Sequence, residues 1–414
     1  MNVEEKKPKV FYGWFVVAAC FLATLTLGET FWSFGVFFKP LESEFGWGRA
    51  LTSSAYTCFL IGHAISLIIG GRLIDRFSPR PILLVTAAIA GLGIALCSQT
   101  HSINQLRLFL FIAGLGAGPT WSVSTTTVMR WFRGHKRGGL ALAITTTGVG
   151  AGAVIFAPLI NYFIRSHGWR DAFLYVGIIL FVIILISSLM IRQSPTPKST
   201  PASPASTEAP EPAAKRSPKP TRAMITSFLG ITFIITVAII SFQAVNVHFT
   251  PHAIDEGISD ASAAAALGLI GGFSIPGRLI SGLISDAVGW RRTLALALFG
   301  MALSLPWLLF LNASWMLYSF ALCYGVCHGI RVPAQLGILE QTFGIGSLGQ
   351  LVGISTAIGQ VCGAMAPYVA GFIYDQTGSY SIVFYILMAM LVTTGIVAFM
   401  MKGQPRPVAE PVDH

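Results

Sequence analysis

Twelve long apolar stretches run through this chain, and no other feature constrains its fold as strongly. They lie at 13–38, 51–72, 81–99, 106–129, 138–164, 171–191, 223–248, 260–284, 293–312, 315–339, 348–374 and 380–401. A bilayer core about 30 Å thick takes about 20 residues of helix, the length that these stretches reach or approach. Backbone polar groups inside a bilayer need internal partners, so each stretch is predicted to be a helix. Composition agrees, since 54% of the 414 residues are hydrophobic and 11% charged. A soluble globular chain carries about 25% charged residues. So few charges cannot cover a soluble body of this size. That excludes a soluble enzyme, a nucleic-acid binder and a disulfide-stapled secreted domain. The expected fold class is an all-α membrane protein with twelve transmembrane helices.

Twelve spans put both termini on one side, and Lys and Arg decide which. With a cytoplasmic N-terminus, 20 of the 27 basic residues fall in cytoplasmic segments. Five fall outside, at Lys39, Arg49, Arg107, Arg165 and Arg170, and two, Arg278 and Arg331, lie inside spans. The net charge of +10 is therefore read as a topology signal and not as a sign of nucleic-acid binding. The expected location is a cell membrane, crossed many times, with both ends cytoplasmic. The N-terminal residues do not read as a cleavable signal peptide. The six cysteines lie in apolar runs and are expected to be small core residues. They lack the His and Asp company of a metal site.

Residues 193–222 break the pattern. They hold eight prolines and no large apolar side chain, so an extended or disordered cytoplasmic linker is expected. It divides the chain into a six-helix unit at 1–192 and another at 223–414. The two repeat each other at an offset near 211 residues. Gly71 and Asp75 match Gly282 and Asp286, Phe38 and Pro40 match Phe249 and Pro251, and Gly46 matches Gly257. Gly114 and Gly118 match Gly325 and Gly329, and Pro158 is close in register to Pro367. Duplicated six-helix halves around a central cavity are a common build for secondary transporters.

The string Gly71-Arg-Leu-Ile-Asp75-Arg76-Phe-Ser-Pro-Arg80 resembles the loop signature of the major facilitator superfamily, with a weaker copy at 282–291. The resemblance covers the whole chain and implies two pseudo-symmetric six-helix bundles. It also implies a gating role for Asp75, Arg76, Arg80 and Asp286, the alternative being charges that only set topology. Finer motifs are Tyr12-Gly13-Trp14, Phe34 to Pro40, Trp131-Phe132-Arg133 with Lys136-Arg137, His248 with Pro251-His252-Ala253, Gly277-Arg278-Leu279, and Gly329-Ile-Arg331-Val-Pro333. Together they are similar to the monocarboxylate transporter family and its bacterial relatives, which shade into oxalate/formate antiporters. The function this implies is secondary transport of a small organic monocarboxylate of the lactate or pyruvate kind, coupled to a proton.

An ionisable group at bilayer depth costs at least ~2.5–3.5 kcal/mol, which makes it a functional candidate. Arg278 is the only charge in the stretch 266–285, and its planar fork suits a carboxylate. The resemblance implies that it holds the substrate. Position 274, one turn earlier, is Ser where animal relatives carry an aspartate, and Trp32 stands where they carry a lysine. Their coupling scheme therefore cannot be transferred. The remaining proton hosts are Glu29, the only carboxylate in its span, and His248, which the resemblance places at the substrate site. Glu29 is equally readable as a neutral structural acid, and His248 as an interfacial residue. Arg331 is read as structural or gating, with backbone groups freed by Pro333 as partners. His63 and His328 are read as hydrogen-bonded packing residues. Trp121, Tyr324 and Tyr385 are possible cavity walls.

The nearest alternative is an oxalate/formate-type anion antiporter. That family carries a lysine in span 11, and 348–374 contains neither Lys nor Arg. A transporter-like receptor is disfavoured by the short tail after 402. An enzyme is disfavoured because no metal-ligand cluster, nucleophile–base pair or nucleotide loop is visible. No cofactor is implied. The expected partners are a small carboxylate, a proton and lipid, and the expected unit is a monomer.

Overall fold

A computed structural model describes residues 11–133, 135, 137–192, 222–343 and 348–401. These form fourteen α-helices: α1 Gly13–Trp32, α2 Phe34–Phe45, α3 Arg49–Arg76, α4 Pro79–Leu96, α5 Ile103–Trp131, α6 Gly138–His167, α7 Trp169–Met190, α8 Arg222–Asp255, α9 Asp260–Val288, α10 Trp290–Ser304, α11 Pro306–Leu309, α12 Ser314–Phe343, α13 Leu348–Thr377 and α14 Ser381–Met400. The predicted linker lies, but for Arg222, outside the described residues.

The helices account for all twelve predicted spans, with three corrections. The first span is interrupted at Ser33, so α1 and α2 together run from Gly13 to Phe45. The ninth is interrupted at Leu305, where Pro306 opens a new short helix. Most helices also outrun their apolar windows, as α8 does by reaching Asp255. Hydropathy reads bilayer thickness, whereas a helix continues until its backbone ladder is capped. Gly46 and Gly257, matched in the repeat, both follow helix ends with φ of 65° and 81°, a conformation suited to glycine.

Eleven spans among the described residues are long and apolar enough to cross a membrane. α12 is the twelfth long helix, and it carries a polar stripe. Tyr324, His328, Arg331 and Gln335 recur at helical spacing along one face. Cys20 and Cys97 are buried, as expected of core residues, but Cys362 is exposed on α13.

The same pairings recur before and after the linker. α3 packs on α5 as α9 packs on α12, α1 on α6 as α8 on α13, and α4 on α7 as α10 on α14. Small residues set the approach. A Cβ on Gly114 would collide with the Phe59 carbonyl, and one on Gly329 with the Ser274 carbonyl. Helices in lipid gain nothing from hydrophobic association, so such close backbone contact is a main source of their cohesion.

The two sets of helices meet along α3–α13 and α6–α9. Gly150 of α6 faces Gly271 of α9 so closely that a Cβ would stand 2.6 Å from its carbonyl oxygen. At one end the contact is ionic and centres on Arg49, which is 2% exposed. Its Nε donates to Glu42 at 3.0 Å, Nη1 to the Tyr380 hydroxyl at 2.9 Å and Nη2 to Asp255. The guanidinium lies 3.6 Å over the Tyr374 ring. Lys39 adds ion pairs to Glu42 at 2.9 Å and Asp255 at 2.5 Å. Asp375 accepts the Arg49 and Ala50 amides at 2.8 and 2.9 Å. Thr57 donates to the Ala364 carbonyl at 2.7 Å.

Gly329→Val should therefore lower stability by about 1–3 kcal/mol, because the overpacked crossing cannot close. Thermal unfolding in detergent reads this, and an unchanged midpoint refutes it. Arg49→Ala removes the shared partner of Glu42, Asp255 and Tyr380. At about 3–5 kcal/mol for one broken buried pair, it should open this end. A cysteine at Thr57, in a background without native cysteines, should then be labelled at least about tenfold faster. Equal labelling rates would mean that the ionic cluster does not hold the end shut.

Candidate functional site

Two arginines within the spans, buried Arg331 and half-buried Arg278, sit where α9 crosses α12. Gly277 of α9 is packed against Val326 and Gly329 of α12. Ser281 Oγ donates to the Ile330 carbonyl at 2.9 Å. This contact holds Arg278 and Arg331 on either side of one crossing. Arg278 Nη1 donates to the Thr146 carbonyl of α6 at 2.8 Å, so it spans the junction between the two sets of helices. Its Nε has no hydrogen-bond partner among the described residues. Ser274, where an acid would be expected, bonds back to the Gly271 carbonyl of its own helix at 2.6 Å.

Arg331 corrects its sequence reading. Its partner is a side chain and not a backbone group, as Nη1 donates to Gln335 Oε1 at 2.8 Å. His328 also departs from expectation, because its Nδ1 has no partner among the described residues. Phe242 of α8 stacks on His328 at 4.5 Å, and Trp32 of α1 meets Phe242 edge-on at 4.9 Å. Tyr324 lies parallel to His328, 6.5 Å away, with its hydroxyl 3.4 Å from Ser241. The cluster is thus two guanidiniums and an imidazole under an aromatic wall. Such a group can bind an anion by charge and bidentate donation. Sequence reasoning missed Phe242 and Gln335. The spacing of 324, 328, 331 and 335 was the signal available for Gln335, and nothing local marked Phe242.

The other predicted site residues are distributed elsewhere. Glu29 of α1 is 3% exposed and lines a cavity of about 20 Å³ with Tyr56, Phe59, Ile94, Leu110 and Phe173. That volume suits about one water, and Oε2 has no partner among the described residues. Glu29 therefore points into the first set of helices, away from α9. His248 of α8 belongs to the Arg49 end. Its Nδ1 lies 2.7 Å from the Tyr380 hydroxyl, and its Nε2 lies 2.7 Å from the Pro367 carbonyl and 3.3 Å from Ser53 Oγ. His63 has both ring nitrogens without hydrogen-bond partners among the described residues, against the hydrogen-bonded role expected of it.

Trp121 is 36% exposed on α5, with no ring contact to the cluster. Tyr385 is 52% exposed on α14, a helix that packs on α8 and α10, so it is not brought to Arg278. Arg80 and Asp286 are exposed at helix ends. Arg76 is likewise exposed beside Ile74, whose carbonyl accepts from Arg130 Nη1 at 2.9 Å. The Asp75 side chain lies outside the described residues.

The profile of the Major Facilitator Superfamily matches residues 20–322 and 257–413. Monocarboxylate transporter 11 of Homo sapiens is 28% identical over 413 residues, covering 95% of this chain and 83% of that protein. Monocarboxylate transporter 13 of Rattus norvegicus is 26% identical, covering 92% and 86%. The "Uncharacterized MFS-type transporter YcxA" of Bacillus subtilis (strain 168) is 26% identical, covering 89% and 90%. Among solved structures, a D-xylose-proton symporter aligns with a TM-score of 0.74 at 15% identity, covering 94% of this chain and 98% of that one. At that identity the likeness is one of fold. The resemblance drawn from the string at 71–80 extends through nearly the whole chain, which is a multi-pass transporter of the Major Facilitator Superfamily and not an enzyme.

Proposed function

We propose that the chain carries small organic monocarboxylates of the lactate or pyruvate kind across a cell membrane together with a proton. The observation that carries this is Arg278, a half-buried arginine at the junction of the two halves whose Nε is buried and which has no carboxylate partner among the described residues. An arginine cannot shed its proton, so a charge kept there needs an anion. Relatives named monocarboxylate transporters support a carboxylate as that anion. A single chain acts as the unit. Its halves, 1–192 and 223–414, rock about the site and present Arg278 to each side in turn. The Lys and Arg distribution supports cytoplasmic termini, which makes the Arg49 end the outer one. Asp75, Arg76, Arg80 and Asp286 then flank the inner opening and gate it.

Proton coupling rests on Glu29 and His248. Glu29 is enclosed by aromatic rings without a cation, a place that tolerates a carboxyl in its neutral form. At His248 the partners assign the tautomer. The Pro367 carbonyl can only accept, so Nε2 carries the hydrogen and Nδ1 accepts from the Tyr380 hydroxyl. The Tyr380 oxygen in turn accepts from Arg49. A second proton on Nδ1 reverses the middle bond and adds charge beside Arg49. Protonation of His248 and closure of the outer end are thus opposed, which ties a proton to opening.

Arg278→Lys keeps the charge and loses the fork, and Arg278→Gln loses both. Each should cut carboxylate uptake into proteoliposomes about a hundredfold or more, from the loss of a buried charge pair worth about 2–5 kcal/mol. The variants should remain folded by size-exclusion and thermal criteria. Wild-type uptake by Arg278→Gln rejects the assignment.

A carboxylate moving alone works against an inside-negative potential at about 2.3 kcal/mol per charge per 100 mV. One proton cancels that charge, so lower external pH should raise accumulation in wild type. Glu29→Gln or His248→Ala should weaken acid-driven uptake and spare exchange of preloaded substrate. If the double variant accumulates substrate like wild type, neither residue hosts the proton. If a pH gradient has no effect on wild type while an internal anion accelerates uptake, the protein is an exchanger.

A further inference from the structure

The α9–α12 crossing holds more positive charge than one carboxylate uses. Arg278 and Arg331 stand next to the contacts that join the two helices, Gly277 against Gly329 and Ser281 Oγ on the Ile330 carbonyl. Neither arginine forms an ion pair with a carboxylate among the described residues. Arg331 is 4% exposed. The two guanidiniums are held alike. Each has Nη1 tied to a protein oxygen, the Thr146 carbonyl for Arg278 and Gln335 Oε1 for Arg331, both at 2.8 Å. Each keeps Nε without a partner among the described residues. The Nε edge of a guanidinium is one that grips a carboxylate side-on with two parallel bonds. His328 Nδ1, also unpartnered, adds a third polar atom to the same cluster.

Guanidiniums stay charged, so the crossing carries two positive charges, Arg331 buried and Arg278 half-buried. One monocarboxylate compensates one of them and leaves the other at depth. A dianion compensates both. We infer that the site also takes short dicarboxylates, with one carboxylate on the Nε edge of Arg278 and the other on that of Arg331. The ligand must be short, because Phe242 and Trp32 close one side of the cluster. Gln335 acts as a positioning residue: it fixes Nη1 of Arg331 and so turns the Nε edge toward the ligand. The inference rests on Arg278 being the carboxylate anchor proposed above.

The test is binding to the purified full-length protein, read by thermal shift and tryptophan fluorescence at matched ionic strength. Lactate serves as the monocarboxylate, and oxalate, malonate and succinate as the dicarboxylates. At least one dicarboxylate should bind wild type and compete with lactate. Arg331→Gln should weaken that dicarboxylate at least about tenfold more than it weakens lactate. Gln335→Leu, which keeps the arginine, should weaken the dicarboxylate selectively and to a smaller degree. Arg278→Gln should lose both ligand classes. If Arg331→Gln does not fold, Gln335→Leu and wild-type competition carry the test. The inference is overturned if lactate binds wild type and no dicarboxylate does, or if the Arg331 and Gln335 variants weaken both classes equally. If neither class binds wild type, the carboxylate reading of Arg278 fails, and this inference with it.

Discussion

Keeping a permanent charge at bilayer depth is the constraint on which this molecule turns. Two guanidiniums cannot be neutralised by proton loss, and the described residues offer them carbonyl and amide oxygens but no carboxylate. The surrounding architecture makes that arrangement tenable. Glycines bring α9 and α12 into backbone contact, which holds the two charged side chains at one crossing. α6 reaches from the other half to supply the Thr146 carbonyl. An anion is the component that balances such a site, and moving an anion is work suited to a transporter.

The charged residues separate into two places with different chemistry. The central cluster holds two cations and no carboxylate among the described residues, while the Arg49 end is internally balanced, with Lys39 and Arg49 facing Glu42 and Asp255. A balanced cluster can close on itself without a ligand, whereas an unbalanced one waits for one. His248 sits in the balanced cluster and Arg278 in the unbalanced one. Under the proposed cycle a proton and an anion need not share a pocket to be coupled, because both clusters straddle the same pair of halves.

Much of this was legible in the chain. The twelve spans follow from bilayer thickness, and the repeat at 211 residues located Gly46 and Gly257 at equivalent helix ends and Gly114 and Gly325 at equivalent crossings. Arg278 stood out as the lone charge of the stretch 266–285. The direction in which a side chain points was not legible where tertiary packing alone decides it. Glu29 turns into its own bundle, His248 joins an ionic cluster assembled from four helices, and Tyr385 lies on a helix that does not pack on α9. The break at Ser33 and the overrun of α8 depend on local capping, which hydropathy does not sense.

The amino end of α3 has a further consequence. Its N-cap position is Gly48, which has no side chain to bond the first-turn amides. That duty is performed from the opposite half by the carboxylate of Asp375, which accepts two of those amides. The helix therefore borrows its cap, and borrows it only while the two halves are together. Separation hands back two backbone donors and the positive pole of a 28-residue helix. If the halves part at this end, as the proposed cycle requires, a structural joint becomes a patch of free backbone donors that favours negative charge.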